Sequence, residues 1–260
     1  MIKPIRVLLE NLSRDVVIKR KLPQQFGGLP LFVSPGAALK FWRTDLDSVD
    51  SDLLKIALEV VRCGHTVWDI GANVGLFSFA SAALAGKSGK VLAVEPDPFL
   101  SGLLRRSAKL NQGEIGSFYV LAAGVSDFVG RGELNIARRS RSANFLKGIP
   151  ESDQTGGVYK TQDISIVNLD WLMANHPAPN VLKIDIEGAE AKALSAAKAL
   201  LTKARPVIVC EVFSENSAVV TDILRENKYN IYDAEVSLSK RVALERAVYN
   251  TIAYPSEMLK

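Results

Sequence analysis

The chain has 260 residues, of which 48% are hydrophobic and 23% charged, enough for one large buried core and ordinary for a soluble globular protein. Its 32 basic and 28 acidic residues leave a net charge of +4, too weak a field to mark a nucleic-acid-binding protein. Cys63 and Cys210 lack metal-ligand spacing and read as free thiols in a reducing, cytoplasmic setting.

In chain order, Met1–Leu12 carries Ile5, Leu8, Leu9 and Leu12 at helical spacing, the pattern of a docking helix rather than a membrane anchor. A turn-bounded strand pair is expected around Phe26–Pro35, and Leu53, Leu54, Ala57, Leu58 and Val61 predict an amphipathic helix that stops by Gly64. These elements form an N-terminal extension over residues 1–62, packed on a main domain over 63–260. From Val67 strands and helices alternate. Strands are predicted at 66–70, 90–95, 118–122, 180–185, 206–212, 229–233 and 247–253, and helices at 75–85, 98–111, 189–203 and 216–227. Such alternation means an α/β protein with a mostly parallel seven-stranded sheet, helices on both faces and ligands at the carboxyl ends of the strands. Residues 131–168 break the rhythm as an inserted hairpin, whose aperiodic 137–157 stretch is expected to be a mobile lid beside the site. The longest apolar stretch, Val74–Ala85, is internal and too short to span a bilayer, so neither a signal peptide nor a membrane span is expected.

Two constellations carry chemistry. The first is Val67-Trp-Asp-Ile-Gly-Ala-Asn-Val-Gly75 followed about 20 residues later by Val91-Leu-Ala-Val-Glu95. That order is strand, glycine-punctuated turn, helix and second strand ending in a carboxylate. Gly71 and Gly75 leave room for backbone to approach a ligand, and Glu95 is placed to accept hydrogen bonds from ribose hydroxyls. The loop is G-x-x-x-G rather than G-x-G-x-x-G, and no G-x-x-x-x-G-K-[ST] is present, so neither a dinucleotide nor a triphosphate cradle is written here. Asp69 at its mouth repels a pyrophosphate and suits a ligand with an ammonium and a sulfonium, such as S-adenosylmethionine. The second constellation is Val181-Leu-Lys-Ile-Asp-Ile-Glu-Gly-Ala-Glu190, which puts Lys183, Asp185 and Glu187 on one side of an extended segment. Charges in a strand buried on both faces need partners or a purpose, and a strand end supplies the purpose.

Asp69–Gly75, Val94-Glu-Pro-Asp97, Val125-Ser-Asp127, Asn168-Leu-Asp170, Lys183–Glu190 and Arg205–Glu211 together resemble the FkbM family of S-adenosylmethionine-dependent methyltransferases, from about residue 64 to 233. The resemblance implies a Rossmann-like, seven-stranded class I methyltransferase sheet and O-methylation of a hydroxyl on a small molecule or sugar. It further implies that Asp69, Gly71, Asn73 and Gly75 surround the methionine end, with Asp69 near its ammonium. Glu95 would take the ribose, Asp97 would border the adenine, and Val125 and Ser126 would bound its ring.

The family motif fixes no base. A hydroxyl is a weak nucleophile, so a carboxylate taking its proton should help, and Asp185 and Glu187 are the candidates, with Glu211 a third. His65 and His176 fall at the amino edge of the sheet. No metal is expected, although Asp185, Glu187 and Glu211 could in principle supply oxygen ligands. Two rival readings are weaker. A nicotinamide oxidoreductase needs the missing glycine. A nucleic-acid methyltransferase of the amino-methylating kind carries Asn/Asp-Pro-Pro-aromatic where this chain has Asp185-Ile-Glu-Gly, and Arg138, Arg139 and Arg141 read as a solvated loop.

Overall fold

The computed structural model describes residues 12–259, so the helix expected over Met1–Leu12 lies outside the described residues except for its last position. A seven-stranded mixed sheet forms the centre, built from β3 (Thr66–Ile70), β4 (Lys90–Val94), β5 (Ser117–Leu121), β10 (Val181–Ile184), β11 (Val207–Glu211), β12 (Tyr229–Asp233) and β13 (Asn250–Pro255). Its order is β12-β13-β11-β10-β3-β4-β5, and β13 alone runs against both of its neighbours. The chain builds outward from β3 to β5 and then returns to β10 on the other side of β3. That reversal opens a crevice at the carboxyl ends of β3 and β10.

The alternation of side chains divides the core between the two faces. On one face Val67, Val91, Val181 and Val207 meet the helices α1 (Ser51–Val60), α2 (Leu76–Ala85) and α3 (Pro98–Leu110). On the other, Trp68, Leu92, Leu182 and Ile208 meet α4 (Leu169–Asn175), α5 (Glu190–Ser195) and α6 (Ser217–Glu226). Local signals start the helices. Asp50 Oδ1 accepts from Leu53 N at the head of α1, Asp97 Oδ1 from Phe99 N at α3, and Asn168 Oδ1 from Trp171 N at α4. Helix α2 is buried nearly all round, because the N-terminal segment lies over the side the sheet leaves open. That segment holds an antiparallel pair, β1 (Ile18–Lys21) with β2 (Pro30–Val33), and shares one core with the sheet.

Three elements differ from the sequence expectation. The helix predicted over 189–203 is broken after Ser195, because Asp170 accepts from Ala199 N and Leu200 N and starts a separate wide turn over Leu200–Ala204. The last strand begins at Asn250 rather than 247, since the backbone of Ala247 is held by Ser217 and Thr221 of α6. The insertion is more than a hairpin. Strands β7 (Gly130–Ala137) and β9 (Val158–Val167) pair antiparallel, and β6 (Gly124–Val125) and β8 (Phe145–Leu146) complete a second, four-stranded sheet. The expected lid over 137–157 is pinned at its base: Arg141 N donates to Gly36 O at 2.9 Å and Ser142 N to Ala37 O at 3.1 Å. No helix of the described residues is long and apolar enough to cross a membrane.

Candidate active site

The register of β3 on β10 sets Asp69 opposite Lys183, and both side chains point to the α2 face. Asp69 is fully buried; Ser78 Oγ of α2 donates to its Oδ2 at 2.5 Å and Lys183 Nζ lies 3.3 Å from its Oδ1. The same ammonium donates to Gly71 O at 3.0 Å and to Asp185 Oδ2 at 3.2 Å. Burial works against the Lys183 charge, but Asp185, Asp69 and Glu211 together hold its pKa above the ordinary lysine range. One buried cation thus ties the ends of two neighbouring strands.

At the end of β4 the Glu95 carboxylate accepts from Asn73 N and Asp97 N, each at 2.9 Å. Burial and the neighbouring Asp97 push its pKa up to about 8 against the pull of those amides. Asn73 has φ +52°, which turns its amide toward Glu95. The glycines have a structural reason beside the expected one. At Gly71, φ is +78° and a Cβ would lie 1.8 Å from Asp185 O; at Gly75 it would lie 2.5 Å from Leu104 Cδ2. Both admit the protein's own atoms, and Gly71 also lines the cleft.

Asp69, Asn73, Glu95, Lys183, Asp185 and Glu187 line one cleft of about 1070 Å³, its open mouth included. Glu187, at φ +52° on the turn after β10, makes no hydrogen bond or ion pair within the described residues. Burial, then Asp185 and Glu211, push its pKa up to about 8. Glu211, at the end of β11, also lines the cleft and accepts from Tyr249 OH at 2.7 Å; burial and Asp185 raise its pKa. Among the described residues no His, Cys, Asp and Glu gather as a metal site would need.

Other expected residues fall elsewhere. Asp97 does not line the cleft: its Oδ2 accepts from Arg141 Nη1 at 2.7 Å and Asn144 Nδ2 at 2.9 Å, so its carboxylate is spent holding the insertion. Val125 borders a small apolar recess beside the cleft, with Pro96, Ala123 and Leu146. Ser126 is buried outside that recess and its hydroxyl turns to Asp127. His65 and His176 stay at the amino edge of the sheet, away from the cleft.

Sequence reasoning set the insertion beside the site but missed the side chains of the cleft's outer wall. Lys40, Phe41, Asp50 and Leu53 come from the N-terminal extension, and Arg141 and Asn144 from the insertion. Arg141, read as solvated, is 8% exposed, ion-paired to Asp97 and stacked 4.4 Å above the Phe99 ring.

The Methyltransferase FkbM domain model matches residues 69–231. A hexuronic acid methyltransferase, AglP of Haloferax volcanii, is 25% identical over 191 residues, covering 73% of each chain. Among solved structures, the methyltransferase FkbM of Methylobacillus flagellatus is similar with a TM-score of 0.47 at 18% identity, over 77% of this chain and 50% of that one. This chain therefore spans about half the length of that relative. Trm5 of Methanocaldococcus jannaschii, in complex with adenosine, has a TM-score of 0.48 at 14% identity over 92% and 55% of the two chains. With its family model spanning more than half of the sequence, this chain belongs to the FkbM methyltransferase family.

Proposed function

We propose that the protein transfers the methyl group of S-adenosylmethionine to a hydroxyl of a sugar or other small molecule, on a Rossmann-like sheet of the class I methyltransferase type. The observation that carries this reading is Glu95, a buried carboxylate at the end of β4 with both oxygens fixed by backbone amides and facing the cleft. Such a carboxylate is suited to a ribose diol. The rest of the cleft fits the same ligand. Asn73 Oδ1 is buried along the cleft without a hydrogen-bond partner, so an acceptor waits where an ammonium would lie. The recess at Val125, Pro96 and Ala123 offers apolar walls to an adenine ring. The name of the Haloferax volcanii relative favours a sugar as acceptor.

When bound, the cofactor supplies an electrophilic methyl group on a good leaving group. What this chain adds is position and a proton sink. Lys183 fixes Asp185, whose second oxygen can orient the acceptor hydroxyl. Glu187 takes the proton, because burial and the neighbouring carboxylates Asp185 and Glu211 outweigh the pull of Lys183 and raise its pKa to about 8, a value matched to the task. Such a base contributes roughly 10²–10⁴-fold. Phe41 and Leu53 add apolar wall to the cleft. The acidic floor disfavours the phosphates of a nucleic acid.

Calorimetry with S-adenosylhomocysteine tests the reading. Glu95→Ala removes charge-assisted hydrogen bonds worth on the order of 1.5–3 kcal/mol, so affinity should fall more than tenfold. Unchanged affinity would sink the assignment.

A further inference from the structure

The turn that leaves β10, residues 186–188, is held by groups outside itself. Glu190, the first residue of α5, accepts from Ile186 N and Gly188 N, each at 3.1 Å and both on its Oε1. Asn216 Nδ2, just before α6, donates to Gly188 O at 2.9 Å. Ile149 of the insertion packs so closely on Gly188 that a Cβ there would lie 2.9 Å from its Cγ2.

Within this turn Glu187 has φ +52° and Gly188 φ +96°. Left-handed residues in succession are costly when the first carries a Cβ, so they persist only where the surroundings impose them. The imposed conformation decides where the Glu187 side chain stands. That side chain lines the cleft, yet within the described residues its carboxylate makes no hydrogen bond or ion pair. Its place is inherited from its backbone.

Glu190 is fully buried, and its Oε2 has no hydrogen-bond partner. It lines neither the cleft nor the apolar recess, so it does not meet a ligand there. Burial pushes its pKa up to about 7, against the pull of the amides it accepts from. A carboxylate buried with one oxygen unmet is a cost to the fold. What it does at that cost is close the turn that carries Glu187.

We propose that Glu190 is the positioning residue for the base: by taking both amides of the turn it fixes Glu187 in its left-handed conformation and so sets where the Glu187 carboxylate stands in the cleft. The inference rests on the reading of Glu187 above and deepens it. Reach counts for more here than charge. An aspartate at 190 keeps the charge but falls one methylene short of the two amides. A glutamine keeps the reach and an oxygen to accept both bonds, and loses the charge. Asp185, Glu211 and Glu190 all raise the Glu187 pKa and Lys183 lowers it, with Tyr249 also in its field, so the two variants separate the turn from the charge.

The test reads the Glu187 carboxyl itself, in the full chain without cofactor or acceptor. Glutamate labelled at its side-chain carboxyl carbon is incorporated, and the signal missing from Glu187→Gln is followed by NMR against pH. In the wild type its midpoint stands near 8. In Glu190→Asp the turn loosens, water reaches Glu187, and the midpoint should fall by about one unit or more. In Glu190→Gln it should fall by at most about half as much, through the lost charge alone. No fall in Glu190→Asp, or a fall in Glu190→Gln of more than half that in Glu190→Asp, overturns the proposal. A second measurement needs no variant. In the wild type the Ile186 and Gly188 amides should exchange hydrogen at least about a hundredfold more slowly than in an unstructured chain, and exchange at the unstructured rate overturns the proposal as well. Neither result depends on the cofactor: unchanged S-adenosylhomocysteine affinity in Glu95→Ala would sink that assignment and leave the Glu190 result standing.

Discussion

The two sides of the cleft treat their carboxylates in opposite ways. At the end of β4, Glu95 and Asp97 receive backbone amides, an arginine and an asparagine, all settled by local turns and one long-range clamp. At the ends of β10 and β11, Asp185, Glu187 and Glu211 crowd around one lysine and one tyrosine hydroxyl. The first side is preorganised to hold a fixed ligand. The second is left with unmet charge, which is costly in the free protein and useful only when something arrives to take it.

The seam between the sides is the place to break this contrast. Gly71→Ala would drive a Cβ to 1.8 Å from Asp185 O, at a left-handed φ, so the β3 turn and the β10 exit cannot both keep their places. Urea unfolding should show a loss on the order of 4 kcal/mol or more, with cofactor binding abolished. A loss below about 1 kcal/mol would mean the strand ends are free to part.

Lys183→Met removes the cation that serves both sides. Asp69 and Asp185 then face each other uncompensated, and a stability loss of about 3–5 kcal/mol is expected by the same measurement. The double variant Lys183→Met/Asp69→Asn should recover part of it; no recovery would show that packing, not charge, is what the lysine provides.

A smaller effect, common to both sides, is read by pH. Glu95 and Glu187 have pKa values raised to about 8 and Glu190 to about 7, in each case first by burial. Carboxyls raised in the folded state bind protons that the unfolded chain has already released above about pH 4.5. Their contribution is therefore complete below that pH and lost as pH rises through 7 to 8. The urea midpoint should fall between pH 6 and 9, and Glu187→Gln should flatten the fall more than a surface substitution does. A midpoint independent of pH would contradict the crowding. Asp163→Asn, at an exposed pair with Arg131 in the second sheet, belongs to neither side and should give no resolvable change.

Much of the first side was legible in sequence because it is local. Asp69, the glycines, Asn73 and Glu95 lie in one strand–turn–helix–strand unit, where spacing alone sets the geometry. The seven strands of the central sheet were legible from apolar runs, and the family was legible from its motifs. The roles of individual residues were harder. Asp97 looks like a site carboxylate, but its partner Arg141 lies 44 residues away, and no local pattern announces the pair. Gly71 reads as ligand clearance, and its further clearance for Asp185 O is a contact that exists only once β10 is beside β3. Which residues form the cleft's outer wall was illegible for the same reason: Phe41 and Leu53 look like ordinary apolar residues of an extension until the chain folds back over α2.

The belt formed by Gly36–Ala37, Arg141–Ser142 and Asp97 has a bearing on how such a protein can be altered. Its backbone bonds and its buried ion pair join three stretches of chain that a designer would treat as separate cassettes. Grafting the insertion from another member of the family, to import a new specificity, would bring a loop whose anchors in the extension and at α3 stay behind. The unit of exchange is the three stretches together, and descent would have had to vary them in concert.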